Sequence, residues 1–218
     1  MVYKILHILR RILEKLHIIT SEEQRAEMKK KQDYEYLISH GVETEYGYVT
    51  LHGFPVISKA PNSHIIIRDG VTLVSDTRYN IAGINHPCIL STTRSGATII
   101  IGEGSGLSGA TISSASQITL ERGVGIGANV CIYDHDFHGI EPYNRCNYEK
   151  VKSSPVIVEK DAWVGANSMI LKGVHIGRAA VIGAGSIVTS NIPALTVYAG
   201  NPARCIKKIE VDPEIYIE

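Results

Sequence analysis

The chain has 218 residues, with 22 basic and 22 acidic side chains, so its formal net charge is zero. With 44% hydrophobic and 20% charged residues, this composition predicts a soluble globular chain of one domain, with or without an appendage. The balanced charge gives no electrostatic reason to expect nucleic acid as a partner. The four cysteines form no C-x-x-C pair, which argues against a zinc site or a disulfide framework and favours a reducing cytoplasm.

The first residues predict a helix over residues 2–19. Its apolar face contains six aliphatic residues, Ile5, Leu6, Leu9, Ile12, Leu13 and Leu16, and its polar face is basic. Packing on a neighbour or on a second subunit explains this pattern, and so does peripheral contact with an anionic membrane. There is no cleavage site for a signal peptide and no apolar run long enough to span a bilayer.

A second helix is predicted from Ser21 to about His40. Ser21 is a suitable N-cap, and Gln24, three residues later, completes a capping box. Gly41 is a natural stop, because glycine readily adopts the left-handed conformation that ends helices.

A six-residue repeat dominates the rest of the chain and is clearest over residues 156–191. One aliphatic residue recurs every six positions, at Val158, Val164, Ile170, Ile176, Ile182 and Val188. Neither a helix, with period 3.6, nor a simple half-buried strand, with period two, gives this spacing. A repeat of six is the signature of a parallel β-helix, in which each six contributes one flat face and stability comes from stacked coils.

The repeat begins irregularly near Val42, slips in phase between Ile118 and Leu120, and stops after Ile132. Residues 133–155 contain no hexad, and the repeat then resumes until residue 192. Irregular loops of this length inside a regular solenoid are uncommon and usually functional.

The segment Asp134-His135-Asp136-Phe137-His138 lies where the repeat stops. A histidine beside a carboxylate can act as a general base, because the carboxylate fixes its tautomer. A solvated polar turn and a metal site are the other interpretations, but no third metal ligand is evident in the sequence. Cys131 is not expected to be a nucleophile, and Trp163 is expected to face outward against a neighbour.

The hexads, the D-H-D-F-H segment and the closing Val197–Arg204 (VYAGNPAR) resemble the hexapeptide-repeat acyltransferases, over about residues 99–209. The most similar branch is the sugar O-acetyltransferases of bacterial polysaccharide synthesis, alongside galactoside and maltose acetyltransferases. The resemblance implies an all-β solenoid, a left-handed parallel β-helix. The predicted helices and the course of the repeat divide the chain into a helical segment (1–41), a β-helix (42–192, with the loop 133–155 inserted) and a C-terminal cap (193–218).

The same resemblance implies a homotrimer that uses acetyl-CoA and a sugar acceptor, with no metal. A histidine of the loop would be the general base: His138 is favoured narrowly over His135, with Asp136 to orient it. Coenzyme A contacts would fall at Ala166, Ala184, Thr189 and Lys207. The acceptor would meet Ser108, Ser113 and Ser114, where galactoside enzymes carry an Asn and an Asp, so a sugar other than a simple galactoside is expected.

Three alternatives remain open at this point. The acceptor is an amine, as on an amino sugar or an antibiotic, or the chain is a γ-type carbonic anhydrase on the same solenoid, or it is a non-catalytic scaffold of polysaccharide assembly. The carbonic anhydrase would need three histidine ligands across a subunit interface, and the histidine cluster of this chain lacks that spread.

Overall fold

Three parallel sheets make up most of the protein. The structure, a computed structural model, describes residues 2–15, 21–46 and 49–211. Along the first seventeen strands, from Thr50–His52 to Ile187–Val188, consecutive strands visit the three sheets in strict rotation. Each of the first fourteen pairs in parallel with the strand three places later. Because the hydrogen bonds run between coils, this strand order is the one that a hexapeptide-repeat β-helix produces.

We number the sheets in the order in which the chain enters them. Sheet 1 contains β1 (Thr50–His52), β4 (Thr72–Val74), β7 (Gly106–Ser108), β10 (Gly125–Ile126), β13 (Trp163–Val164), β16 (Val181–Ile182), β18 (Thr196–Ala199) and β19 (Arg204–Lys208). Sheet 2 contains β2 (Val56–Ser58), β5 (Ile89–Thr92), β8 (Thr111–Ser114), β11 (Cys131–Tyr133), β14 (Met169–Ile170) and β17 (Ile187–Val188). Sheet 3 contains β3 (His64–Ile67), β6 (Thr98–Ile101), β9 (Gln117–Leu120), β12 (Val156–Val158) and β15 (His175–Ile176).

The core consists of the aliphatic residues that the six-residue spacing singles out. The strand register stacks them directly, with Ile126 on Val164 and Val164 on Ile182 in sheet 1. All of the following are at most 3% exposed: Leu107, Ile112, Ile118, Leu120, Ile126, Ile132, Val158, Val164, Ile170, Ile176, Ile182 and Val188. The predicted inward positions are therefore confirmed, and apolar burial between coils is the main stabilising term.

Successive coils approach so closely at one turn that no side chain fits between them. A Cβ atom at Gly165 would lie 2.6 Å from the amide nitrogen of Ala184 in the next coil. Gly127 meets Ala166 one coil earlier in the same way, at 2.7 Å. At this turn, where sheet 1 leads into sheet 2, the small residues therefore let the backbones of successive coils pack directly on one another.

Two helices precede the sheets, α1 (Val2–Lys15) and α2 (Glu22–Ser39). The predicted capping box is confirmed: the Ser21 hydroxyl accepts from the Gln24 amide, and the Gln24 side chain accepts from the Ser21 amide. Gly41 follows the helix at φ +72°, as expected for its end. Helix α2 packs on the first coil through Leu37, which is fully buried.

Helix α1 exposes Leu6, Leu9 and Ile12, and Arg10 joins it to α2 through Glu22. The predicted continuation to residue 19 falls outside the described residues, and its contact with a membrane remains a prediction. Neither helix within the described ranges has the length and apolar content needed to cross a bilayer.

The C-terminal segment is an antiparallel hairpin. β18 adds to sheet 1 in parallel with β16, and β19 then pairs antiparallel with β18. This hairpin lies within residues 193–218, the expected C-terminal cap, of which residues 212–218 lie outside the described residues.

Candidate active site

The irregular loop leaves the coil after β11 and returns at β12. It contains two short 3₁₀ turns, Pro142–Asn144 and Tyr148–Lys150. Two cations from other coils hold it. The Arg94 guanidinium donates to the carbonyls of Tyr148 (2.9 Å) and Val151 (2.7 Å). Lys172 pairs with Asp136 at 2.5 Å. These contacts fix the loop where the chain brings its ionisable residues together.

Asp134 is the buried centre of this region, with no exposed surface. Its carboxylate accepts the amide of Ala115 (2.7 Å), the amide of Ser116 (2.8 Å) and the hydroxyl of Ser114 (2.7 Å). These three donors come from the last residue of β8 and the turn that follows it, in the preceding coil. A fully desolvated carboxylate is tolerated only when it is this well satisfied.

Burial by itself raises the pKa of Asp134. Hydrogen bonds from His135, from the amides of Ala115 and Ser116 and from the Ser114 hydroxyl outweigh burial, so the pKa lies below its ordinary value. Asp134 is therefore a fixed negative charge at neutral pH.

His135 lies directly against this charge. Its Nδ1 is 3.0 Å from Oδ1 of Asp134, and its side chain is 4% exposed. An ionised carboxylate at Nδ1 accepts a hydrogen bond from Nδ1–H, so in the neutral ring the lone pair is on Nε2, where it can take a proton from another molecule. The ring of Phe137, itself 47% exposed, packs on the imidazole with 4.6 Å between ring centroids.

Asp136 is the carboxylate that the resemblance implies as the partner of the base. That carboxylate pairs with Lys172, and the carboxylate that meets a histidine ring is Asp134. His138 is exposed, with Nδ1 3.3 Å from the carbonyl of Arg145. The carboxylate partner thus belongs to His135 and not to His138, which the sequence favoured. The reason is that the chain stays in the coil register through Asp134 before it turns away.

A groove of about 530 Å³ lies on sheet 1, away from the histidines. Its floor includes Gly104 and Gly106, above which a Cβ would meet nothing within 4 Å. Trp163, 56% exposed, forms one wall over Gly125. Asn80 and Ala82, on the segment between β4 and β5, also line the groove. Outward-facing glycines therefore make a shallow apolar trough along the sheet.

The residues expected to bind coenzyme A fall into two places. Ala166 lines the groove, and Ala184 stacks one coil further along the same turn. Lys207 lies on β19, three strands beyond Trp163 in the same sheet, or roughly 14 Å at ordinary strand spacing. Thr189, in contrast, follows β17 in sheet 2, where the register puts it in line with Tyr133, the residue before Asp134.

The three serines expected at the acceptor also separate. Ser108 lines the groove on sheet 1. Ser113 and Ser114 are buried in sheet 2, 4% and 0% exposed. The Ser114 hydroxyl is committed to Asp134, so it holds the carboxylate in place and has no surface for an acceptor.

Sequence reasoning missed the role of Asp134, although the register contained a signal for it. Ile112 and Ile132 occupy equivalent positions in successive coils. Two residues further along each strand, Asp134 is therefore the neighbour of Ser114. The anchoring by Arg94 gave no local signal, because it spans 54 and 57 residues. Within the described part of the chain no group of three or more His, Cys, Asp or Glu side chains could hold a metal ion.

A family model for the hexapeptide repeat of succinyl-transferase matches residues 155–190. A curated relative, the 2,3,4,5-tetrahydropyridine-2,6-dicarboxylate N-acetyltransferase of Staphylococcus aureus (strain bovine RF122 / ET3-1), is 52% identical over 60 residues. That match spans 28% of this chain and only 25% of the relative, about a quarter of its length.

Solved structures share the fold over a longer span. A hexapeptide-repeat acetyltransferase of Vibrio cholerae O1 biovar eltor, solved with acetyl-CoA, is 26% identical with a TM-score of 0.50, covering 57% of this chain and 69% of that one. AntD, an N-acyltransferase from Bacillus cereus solved with dTDP and 3-hydroxybutyryl-CoA, is 23% identical with a TM-score of 0.61. The AntD match covers 81% of this chain and 88% of AntD, and at that identity it supports the fold alone.

Proposed function

Because this chain belongs to the hexapeptide-repeat acyltransferase family, we propose that it transfers an acetyl group from acetyl-CoA to a sugar hydroxyl, on an intermediate of a bacterial surface polysaccharide. The observation that carries the proposal is the Asp134–His135 pair at the point where the repeat stops. A buried, oriented imidazole beside a fixed carboxylate is the arrangement that general-base catalysis requires.

In this proposal Nε2 of His135 takes the proton of the acceptor hydroxyl as its oxygen attacks the thioester carbonyl. The C–O bond forms and the carbonyl becomes a tetrahedral oxyanion, which a backbone N–H stabilises. The C–S bond then breaks, and the imidazolium returns its proton to the departing sulfur. Asp134 stabilises the positive imidazolium throughout, because it is ionised and its Oδ1 lies 3.0 Å from Nδ1.

The groove on sheet 1 is the proposed site of the acyl donor. Its glycine floor and the exposed ring of Trp163 suit a thin, largely apolar chain such as a pantetheine arm. Ala166 and Ala184 continue the floor along the coils, and Lys207 lies further along on the same side, where phosphates would meet a cation.

One copy of the chain does not bring the groove and His135 together. Ala166 lies at the turn from sheet 1 to sheet 2, and His135 at the turn from sheet 2 to sheet 3. We therefore propose a homotrimer of left-handed β-helices, in which His135 of one copy meets the groove of the next. The outward row of sheet 2 suits such an interface, because it is mostly apolar: Val56, Ile89, Thr111, Cys131, Met169 and Ile187.

An amine acceptor is the second candidate, since both the S. aureus relative and AntD carry the name of an N-acyltransferase. The two acceptors need different help from the protein. A sugar hydroxyl is a weak nucleophile at neutral pH and needs a base to attack, which the Asp134–His135 pair supplies. This need favours the hydroxyl.

An acceptor panel tests the proposal. Purified protein, acetyl-CoA and matched hydroxyl and amino sugars are incubated, and free thiol is measured together with product mass and NMR. We expect thiol release that depends on a hydroxyl sugar, with an ester as product. Amide products alone would transfer the assignment to the amine acceptor. Acyl transfer would be refuted if no acceptor of the panel gave thiol release and if titration with coenzyme A left the fluorescence of Trp163, the single tryptophan, unchanged.

A further inference from the structure

A second cavity, of about 320 Å³, lies inside the loop next to His135. Seven residues line it: Asp136, Gly139, Ile140, Glu141, Asn144, Lys150 and Lys152. Asp136 is the residue after His135, so the cavity begins one residue from the proposed base. Its volume is at the small end of the range for ligand pockets, about 300–1,000 Å³, and suits a single sugar ring.

Backbone contacts fix the walls of this cavity. The Asp136 amide donates to the Lys152 carbonyl at 3.0 Å, which joins the outgoing and returning arms of the loop. On the far side the Asn144 amide donates to the Glu141 carbonyl at 2.9 Å, and Gly139 packs so tightly that a Cβ would lie 2.5 Å from the Asn144 carbonyl oxygen. The cavity therefore keeps its shape through backbone contacts, without depending on its lysine side chains.

The charges of the lining do not balance. Lys172 already neutralises Asp136, so Glu141 is the remaining carboxylate among the seven lining residues. Lys150 and Lys152 both line the cavity, and in the described ranges no carboxylate lies within ion-pair distance of either. With Asp136 neutralised, two lysines and one carboxylate among the lining residues leave a net charge of about one positive unit in the lining of this cavity.

We propose that this cavity binds the anionic group of an acidic sugar, a carboxylate or a phosphate, through Lys150 and Lys152, and so selects charged acceptors. This inference rests on the proposed function, because it assigns the cavity to the acceptor of the same site. Asn144 and Glu141 offer an amide and a carboxylate for the hydroxyls of the ring. An ammonium–anion hydrogen bond is stronger than a neutral one, so the charge decides the preference.

Calorimetry without acetyl-CoA tests the cavity alone, on the full-length protein. The probes are N-acetylneuraminic acid, which carries a carboxylate, glucose 1-phosphate, which carries a phosphate, and neutral glucose. We expect at least one acidic probe to bind about tenfold or more tightly than glucose, and to weaken as salt rises. Which acidic probe binds identifies the source of the anion.

The variant K150M/K152M removes both charges and keeps the aliphatic stems. We expect it to bind the acidic probe about 10–100-fold more weakly and to leave glucose binding unchanged. The matched control is K30M/K31M, which removes two exposed lysines from α2. The inference is overturned if no acidic probe binds more tightly than glucose, or if K150M/K152M binds it like the wild type. Thiol release that occurs only with neutral sugars would contradict this inference and leave the proposed function standing. Binding of an acidic probe with no thiol release from any acceptor would contradict the proposed function and leave this inference standing.

Discussion

Replacing His135 with alanine is expected to lower the rate of acetyl transfer about 10²–10⁴-fold, the usual cost of losing a general base. The loss should fall on kcat, because the imidazole acts in the transition state and the donor groove lies on another face. The measurement is steady-state thiol release with the best acceptor of the panel. Binding of coenzyme A, followed by Trp163 fluorescence, should remain as in the wild type.

Two matched variants make this result specific. His138→Ala removes the exposed histidine of the same loop. We expect a loss of less than about tenfold, since the ring contacts the carbonyl of Arg145 and, among the described residues, no carboxylate within ion-pair distance. His175→Ala removes a histidine paired with Glu159 at 2.6 Å on the outside of sheet 3, and it should leave the rate unchanged. If His138→Ala gave the larger loss, the base would be His138 and the role of Asp134 would be structural.

Replacing Asp134 with asparagine is expected to affect both stability and rate. An amide nitrogen in place of Oδ1 meets the Ala115 amide, and in place of Oδ2 it meets the Ser114 hydroxyl and the Ser116 amide. Unsatisfied buried groups cost about 1–3 kcal/mol each. We expect a loss of about 2–4 kcal/mol in unfolding free energy at pH 7. The rate should fall as well, because His135 loses the charge that orients it and stabilises its protonated form.

The pH dependence of the same variant checks the cause. The folded-state pKa of Asp134 is depressed, so its contribution to stability is complete above the unfolded value, about 3.9, and is lost as the pH falls through the folded value. The difference in urea midpoint between wild type and Asp134→Asn should therefore be full at pH 7 and shrink below about pH 4. Asp69→Asn, at a surface turn, is the control. A difference that stayed constant down to pH 2 would show that charge plays no part.

The repeat itself could be predicted because its cause is local and periodic. Every coil needs one aliphatic residue facing the interior, so residues such as Val164 and Ile182 identify their own orientation in the sequence. The outward position of Trp163 followed from the same count. Both ends of α2 were also predictable, since Ser21 and Gln24 cap its start and Gly41 follows its last turn.

The candidate site was less predictable, because its contacts join residues from different coils. The choice between Asp134 and Asp136 depends on where the chain leaves the coil, and composition alone does not decide it. The groove on sheet 1 needs outward glycines on several coils together with the segment around Asn80, which no periodicity describes. The sequence therefore located the ionisable residues of the loop but not the contacts that orient them.

Mixed assemblies test the central claim most directly, which is that His135 of one copy works on a donor held in the groove of the next. Copies carrying His135→Ala are combined with copies carrying Ala166→Trp, a change that fills the groove, and acetyl transfer is measured against each variant alone. We predict that both variants are inactive alone and that an equal mixture recovers about a quarter of the wild-type rate, the fraction of sites that random association repairs. No recovery, in samples where mass spectrometry finds mixed assemblies, would contradict the account.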